Sequence, residues 1–81
     1  MVQVEIFQGA SLVYRGAARQ VVLPGADGEL AVLDWHAPAL CALSAGVVDV
    51  DERRFRIGGG LACMGGNRVL VIGRERWNFS A

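Results

Sequence analysis

The chain has 81 residues, a formal net charge of zero and a hydrophobic content of 53%. This length fits one domain, and the neutral balance excludes a chain-wide field that would attract nucleic acid or anionic lipid. The hydrophobic content excludes a disordered chain and leaves apolar surface for a partner in so small a domain.

Short apolar runs predict four strands in the first half of the chain. Residues 2–7 alternate apolar and polar side chains, which indicates a half-exposed antiparallel strand. Residues 12–15 predict the returning strand, and Gly16 after them permits a bend or bulge. Residues 19–23 and 31–33 predict the third and fourth strands.

A loop with a proline and two glycines joins the third and fourth strands. Pro24 suits the first dihedral of a turn, and glycine tolerates positive φ, so a rigid tip is expected here. The tip carries two carboxylates, those of Asp27 and Glu29. Residues 35–38, directly after the fourth strand, predict a contact surface because this loop holds a Trp, a His and a Pro between strands.

The second half of the chain predicts five further strands. Residues 38–43 favour a short strand or an extended segment, and residues 47–50, 55–57, 61–64 and 68–72 favour strands. A charged hairpin tip at 51–54, a glycine bend at 58–60 and a hairpin turn at 65–67 separate them. The pattern predicts an all-β fold, a flattened antiparallel β-sandwich or barrel of about nine or ten short strands.

No pattern of chemistry-bearing residues predicts a catalytic, metal or cofactor site. His36, Cys41 and Cys63 could form a Cys-His pair or a three-ligand zinc site, but their spacing fits no ordinary zinc pattern. Both cysteines sit among apolar neighbours and are expected to be small buried hydrophobes. Asp27 and Glu29 could form an acid-base pair, but a solvated or partner-facing loop is the simpler interpretation.

The chain start and the apolar runs predict a location in the reducing cytosol. No signal peptide precedes the first strand, and no apolar run approaches the ~20 residues that cross a bilayer. A disulfide is therefore not expected. For nucleic acid, residues 53–56 are the only basic and aromatic candidate, and nearby carboxylates neutralise them.

Several segments, taken together, resemble a known family. LPGADGELAVL at residues 23–33, followed by HAPAL at 36–40, resembles the epsilon subunit of F-type ATP synthases in its N-terminal β-sandwich domain. Residues 2–7 with 12–16, residues 46–48, and residues 59–61 with 66–71 resemble further strands of that domain. The resemblance covers residues 2–73 as one domain. It leaves 74–81 as a polar tail, which is either disordered or holds Trp77 and Phe79 against the sandwich or a partner.

The resemblance implies a non-catalytic subunit of the central stalk that needs no cofactor. Such a subunit couples ion flow through the membrane rotor ring to ATP synthesis or hydrolysis on other subunits. It is peripheral, at the cytoplasmic face of the bacterial inner membrane, within a hetero-oligomeric complex. Its partners would be the gamma subunit and the rotor ring. The implied ring contact is Asp27, Gly28, Glu29 and Leu30, and the implied gamma or ring interface is Trp35, His36, Ala37 and Pro38.

The sequence departs from that family in three places. Asp34-Trp35 stands where Pro-Gly is usual, and Ser44-Ala45 stands where Lys-Pro is usual. The C-terminal helical hairpin has no counterpart, so its inhibitory extension and its ATP binding are expected to be absent.

A core position is expected at Val22, so replacing this valine with Asp should unfold the domain. The alternative function is a stand-alone all-β binding module for a peptide or nucleic acid.

Overall fold

The computed structural model describes residues 1–74, and this part of the chain contains strands and no helix. The all-β class is therefore confirmed. The strands are β1 (Val2–Gln8), β2 (Ser11–Ala18), β3 (Val21–Gly25), β4 (Gly28–Val32), β5 (His36–Val50), β6 (Arg53–Gly66) and β7 (Arg68–Gly73). The predicted tail with Trp77 and Phe79 lies outside the described residues.

The seven strands form one open sheet in the order β2-β1-β7-β6-β5-β3-β4. Neighbours pair antiparallel except β1 and β7, which are parallel, so the prediction of a purely antiparallel sheet is wrong at this pair. β7, the last described strand, lies beside the first strand, β1, and runs in the same direction. The bulge predicted at Gly16 is also misplaced: the register between β1 and β2 shifts at Val13, between the Ile6–Tyr14 and Phe7–Leu12 pairs.

Residues 1–74 form fewer strands than the nine or ten expected, because a bend at residues 44–46 and a glycine bend at residues 58–60 do not interrupt the backbone pairing. The predicted strands at 38–43 and 47–50 are one strand, β5, and those at 55–57 and 61–64 are one strand, β6. Gly59 and Gly60 in β6 have φ of 92° and 147°, conformations that glycine adopts at little cost. A Cβ at Gly60 would also overlap the carbonyl oxygen of Ile72 on β7.

The bend in β5 and β6 lets the single sheet close over itself. A straight strand of the 15 residues of β5 would extend about 48 Å. Val32 at the end of β4 is two strands away from Val50 at the end of β5, since both pair with Val21. Only three residues link Val32 to His36 at the start of β5, so the two ends of β5 lie within about 25 Å of each other, about half the length of a straight strand.

The enclosed core draws apolar side chains from all seven strands and contains no buried polar side chain within residues 1–74. Val21 and Leu23 are fully buried, whereas Val22 between them is only partly buried. The core position predicted at Val22 is therefore wrong by one residue, because successive side chains of a strand point to opposite faces. The alternation predicted for β1 is confirmed, with Val2, Val4 and Ile6 buried.

The β5–β6 turn is tied to the rest of the fold by Asp51. Its carboxylate accepts hydrogen bonds from the backbone N–H of Arg19, at 3.1 and 3.2 Å, and of Gln20, at 3.2 Å. The Asp51 φ is 52°, a region that Asp and Asn tolerate better than most residues. The turn is therefore anchored to the β2–β3 connection by a side chain.

Replacing Asp51 with Ala should lower the free energy of unfolding by about 1–2 kcal/mol, since two backbone donors lose their acceptor. Asp51→Asn should lose less, because the amide oxygen still accepts and Asn tolerates the same φ. Glu52→Ala, at the neighbouring exposed position, should stay within about 0.5 kcal/mol. Urea denaturation followed by circular dichroism measures all three variants. Equal stability of the Asp51→Ala and Glu52→Ala variants would contradict the anchoring role.

Candidate functional site

The β3–β4 hairpin ends in a two-residue loop, Ala26 and Asp27, between the paired glycines Gly25 and Gly28. Pro24 lies within β3 opposite Glu29, so its predicted place in the turn is wrong. It fits there because the register with β5 shifts at this point, and proline in a sheet is accommodated at such irregularities. The Ala26 N–H donates to the Ala42 carbonyl oxygen at 2.9 Å, which fixes the tip against β5.

Three of the four predicted ring-contact residues are exposed at this tip. Asp27, Gly28 and Glu29 are exposed, whereas Leu30 is partly buried and packs against the core. Neither carboxylate takes part in an ion pair within residues 1–74. The tip therefore presents two unpaired negative charges on a backbone that is held in place, with no desolvating wall of the kind that acid-base chemistry needs.

The second predicted segment, residues 35–38, lies between β4 and β5 and at the start of β5. Trp35 is 81% exposed and has a φ of 60°, a conformation that costs a bulky residue about 1–3 kcal/mol. His36 is partly buried, and its Nδ1 is 2.8 Å from the Ala37 carbonyl oxygen. Ala37 and Pro38 are exposed. A strained, exposed tryptophan is typical of a residue that packs against a partner.

The structure does not bring the two predicted segments together. Asp27 follows β3 at one end of the β3–β4 hairpin, and Trp35 lies beyond Val32 at the other end. Along β5, the contact of the tip at Ala42 is six residues from His36, or about 20 Å for an extended strand. The two segments are therefore suited to separate contacts.

An apolar row, which the sequence interpretation missed, crosses the outer face of the sheet; all its members are exposed except Phe7, which is partly buried. Cross-strand partners share a face, and successive pairings join Ala42, Leu61, Ile72, Phe7 and Leu12 across five strands. Leu61 is 47% exposed and Ile72 is 50% exposed. The sequence signal is that residues 61–64 are apolar at every position, on both faces of the strand. A strand with one face in water would need apolar residues only at alternate positions.

A second row on the same face is mixed. Pairings join Leu40, Cys63 and Leu70 to an ion pair in which Arg15 Nε lies 2.8 Å from a Glu5 carboxylate oxygen. Exposed apolar side chains in neighbouring rows, bordered by polar groups, are typical of a protein interaction site. We refer to Ala42, Leu61, Ile72, Phe7 and Leu12 as the outer apolar row.

The cysteines do not form a site with His36. Cys63 is exposed on the outer face, so its predicted burial is wrong, while Cys41 is partly buried against the core. Cys41 pairs with Ala62, the neighbour of Cys63 on β6, and therefore the two thiols point to opposite faces. No group of three potential metal ligands occurs within residues 1–74.

The basic candidate for nucleic acid is engaged within the fold. Arg54 Nε donates to Asp49 at 3.0 Å, and the Arg53 guanidinium lies 5.6 Å from the centre of the Tyr14 ring. One guanidinium charge of the turn is therefore paired with a carboxylate, and the other lies near an aromatic ring. None of the described elements is a helix that could span a membrane.

Comparisons with known protein sequences point to one family. The family model described as "ATP synthase, Delta/Epsilon chain, beta-sandwich domain" matches residues 1–76. The ATP synthase epsilon chain of Chlorobaculum tepidum is 34% identical over 76 residues, which are 88% of this chain and 86% of that one. The Campylobacter lari epsilon chain is 40% identical over 52 residues, so the match spans 64% of this chain and 40% of that one.

Solved structures show the same fold at low sequence identity. A chain of the Euglena gracilis mitochondrial ATP synthase, in a structure of OSCP, F1 and the c-ring, superposes with a TM-score of 0.76 and 17% identity. The superposition covers 89% of this chain and 49% of that chain. A chain of the Tetrahymena thermophila mitochondrial ATP synthase central stalk and c-ring gives 0.71 and 13%, over 91% and 63% of the two chains.

Proposed function

Because the chain belongs to the ATP synthase delta/epsilon family, we propose that it is a non-catalytic central-stalk subunit of an F-type ATP synthase, between the gamma subunit and the membrane rotor ring. In this role it couples ion flow through the ring to ATP synthesis or hydrolysis on other subunits. Residues 2–73 form the domain that makes these contacts. The subunit is peripheral and lies at the cytoplasmic face of the bacterial inner membrane.

The outer apolar row carries the proposal, because it gives the domain a surface that needs a protein partner. Burial of this row against the gamma subunit removes exposed leucine and isoleucine side chains from water, at about 25 cal/mol per Å² of apolar area. An ion pair, Glu5–Arg15, lies beside the row and suits the polar rim of an interface. A chain without net charge would rely on this apolar contact rather than on long-range attraction.

The acidic tip is the proposed contact with the rotor ring. Asp27 and Glu29 are exposed, and the tip is held by the Ala26–Ala42 hydrogen bond, so both charges can reach polar or basic groups without a change of fold. Residues 35–38 lie at the other end of the hairpin and form a separate gamma or ring contact. Exposed ion pairs contribute only about 0–1 kcal/mol each to binding, so several contacts together must hold the subunit on the ring.

Co-expression with the gamma subunit of the same organism tests the proposal. The tagged chain should retain the gamma subunit through affinity and size-exclusion chromatography as a complex with one copy of each. The acidic tip is not part of this contact, so Glu29→Arg should leave the complex intact. Failure of the unmodified chain to form this complex would contradict the proposed function.

Replacing Glu29 with Arg should impair coupling at the ring, since it reverses one of the two charges of the tip. In membrane vesicles carrying the assembled enzyme, ATP-driven ion pumping per ATP hydrolysed should fall severalfold. Glu52→Arg makes the same charge change at the exposed β5–β6 turn and should leave the ratio unchanged. An unaltered ratio with Glu29→Arg would show that the ring contact lies elsewhere.

A further inference from the structure

One side of the first half of β5 has no neighbouring strand in the described part of the chain. β6 pairs with β5 from His36 to Val50, but β3 pairs with β5 only at Leu43 and beyond. Residues 36–42 therefore form a free sheet edge, although β5 is an interior strand in the rest of its length. Free edges are ready templates for another strand.

The direction of the unpaired backbone groups follows from the contact at the tip. The Ala42 carbonyl accepts from Ala26, on the side of β5 away from β6. Backbone groups of a strand alternate between its two sides, so the N–H and C=O of Leu40 point to the same free side. The edge therefore offers the N–H and the C=O of Leu40, next to the Ala42 carbonyl that already accepts a hydrogen bond from Ala26.

Natural edge strands are usually protected by charges, prolines, bulges or coverage, and at this edge such protection is confined to the first residues. Pro38 and the register shift between His36 and Ala39 protect the start of the edge. Residues 39–42 contain no proline and no Asp, Glu, Lys or Arg. Leu40 in this stretch is 72% exposed.

The free edge adjoins the outer apolar row. Leu40 and Ala42 are two residues apart on β5, so their side chains lie on the same face, and Ala42 pairs with Leu61 of that row. A groove of about 370 Å³ lies between the hairpin tip and the free edge, lined by residues 25–30 and 40–42. A partner that covers the outer apolar row therefore also reaches the free edge.

We propose that the free edge of β5 at residues 39–42 binds an extended segment of the gamma subunit by strand addition. Main-chain hydrogen bonds to Leu40 give the affinity, as in other cases of β-augmentation. An apolar side chain of the segment covers Leu40, while Asp27 and Glu29 stay free for the rotor ring. The inference rests on the proposed function for the identity of the partner, and the strand-addition site itself rests on the edge.

Replacing Leu40 with Pro tests the backbone contact without removing a hydrogen bond of the fold. The Leu40 N–H points to the free side, and proline is tolerated on an edge when its missing N–H would face solvent. Leu40→Ala is the matched control, because it removes the same side chain and keeps the N–H. Both variants should keep the circular dichroism spectrum and the urea midpoint within the range of other surface variants.

Binding to the purified gamma subunit, measured by biolayer interferometry, should be about tenfold weaker for Leu40→Pro than for Leu40→Ala. Hydrogen exchange measured by mass spectrometry should show slower exchange of the peptide that contains Leu40 in the unmodified complex than in the free chain. Equal affinities of the two variants, or unchanged exchange in a complex that does form, would overturn strand addition while leaving the proposed function standing. If the free chain eluted as a dimer in size-exclusion chromatography and its Leu40 peptide exchanged slowly, the edge would bind a second copy of this chain. That result would overturn the inference. No binding of the unmodified chain would overturn the proposed function, and with it the partner named here.

Discussion

Replacing Leu61 with Arg should weaken association with the gamma subunit at least a hundredfold while the domain stays folded. Leu61 lies in the middle of the outer apolar row, with Ala42 and Ile72 as its cross-strand neighbours. A guanidinium there would be trapped against apolar side chains in the interface, and an unpaired buried charge costs several kcal/mol. In the free chain the leucine side chain is about half exposed, so the introduced guanidinium can reach water and stability should change little.

The measurement is the dissociation constant with the gamma subunit, together with urea denaturation of the free variant. Glu52→Arg introduces the same side chain at the β5–β6 turn, away from the row, and should bind as the unmodified chain does. Leu61→Ala should give an intermediate loss, since it removes apolar contact without adding charge. If Leu61→Arg bound normally, the outer apolar row would not be the gamma interface.

Replacing Leu23 with Asp should unfold the domain. Leu23 is fully buried in the core, and an unpaired carboxylate at such a position costs more than the ~4–12 kcal/mol that an 81-residue chain has available. Val22→Asp is the matched control one residue away. Its side chain is only partly buried on the opposite face, so the expected loss is about 1 kcal/mol, the scale of strand preference.

Circular dichroism and the dispersion of backbone amide resonances distinguish the two variants directly. The Leu23→Asp spectrum should be that of an unfolded chain, and the Val22→Asp spectrum should match the unmodified protein. The reverse outcome would mean that the core faces the other side of β3. A folded Leu23→Asp variant would show that water or a partner group reaches this position.

The sequence predicted the strand content well and its connections less well. Alternation correctly assigned Val2, Val4 and Ile6 to the core because that strand has one polar face. The same reasoning failed at Val22. In a run of three apolar residues, the sequence does not show whether the middle side chain or the two outer ones face the core. The predicted strand breaks at residues 44–46 and 58–60 are wrong, because a local pattern cannot show whether backbone pairing continues through a bend.

For the candidate site, the sequence located the exposed segments and not the surface between them. Asp27, Glu29 and Trp35 stand out because charge, glycine and a large aromatic residue are visible in any strand-loop-strand pattern. The outer apolar row depends on which residues are neighbours across five strands, and that information exists only in the register. The free edge of β5 likewise follows from where β3 stops pairing, which no property of residues 36–42 reveals.

The position of β7 between β1 and β6 has a consequence for how the chain acquires its fold. The β1–β2 hairpin joins the other strands of the sheet only through β7. The pairing that completes the sheet therefore links residues 3–8 to residues 68–73. Contacts between such distant parts of a chain form slowly, so we expect this pairing to limit the rate of folding more than the local β5–β6 hairpin does.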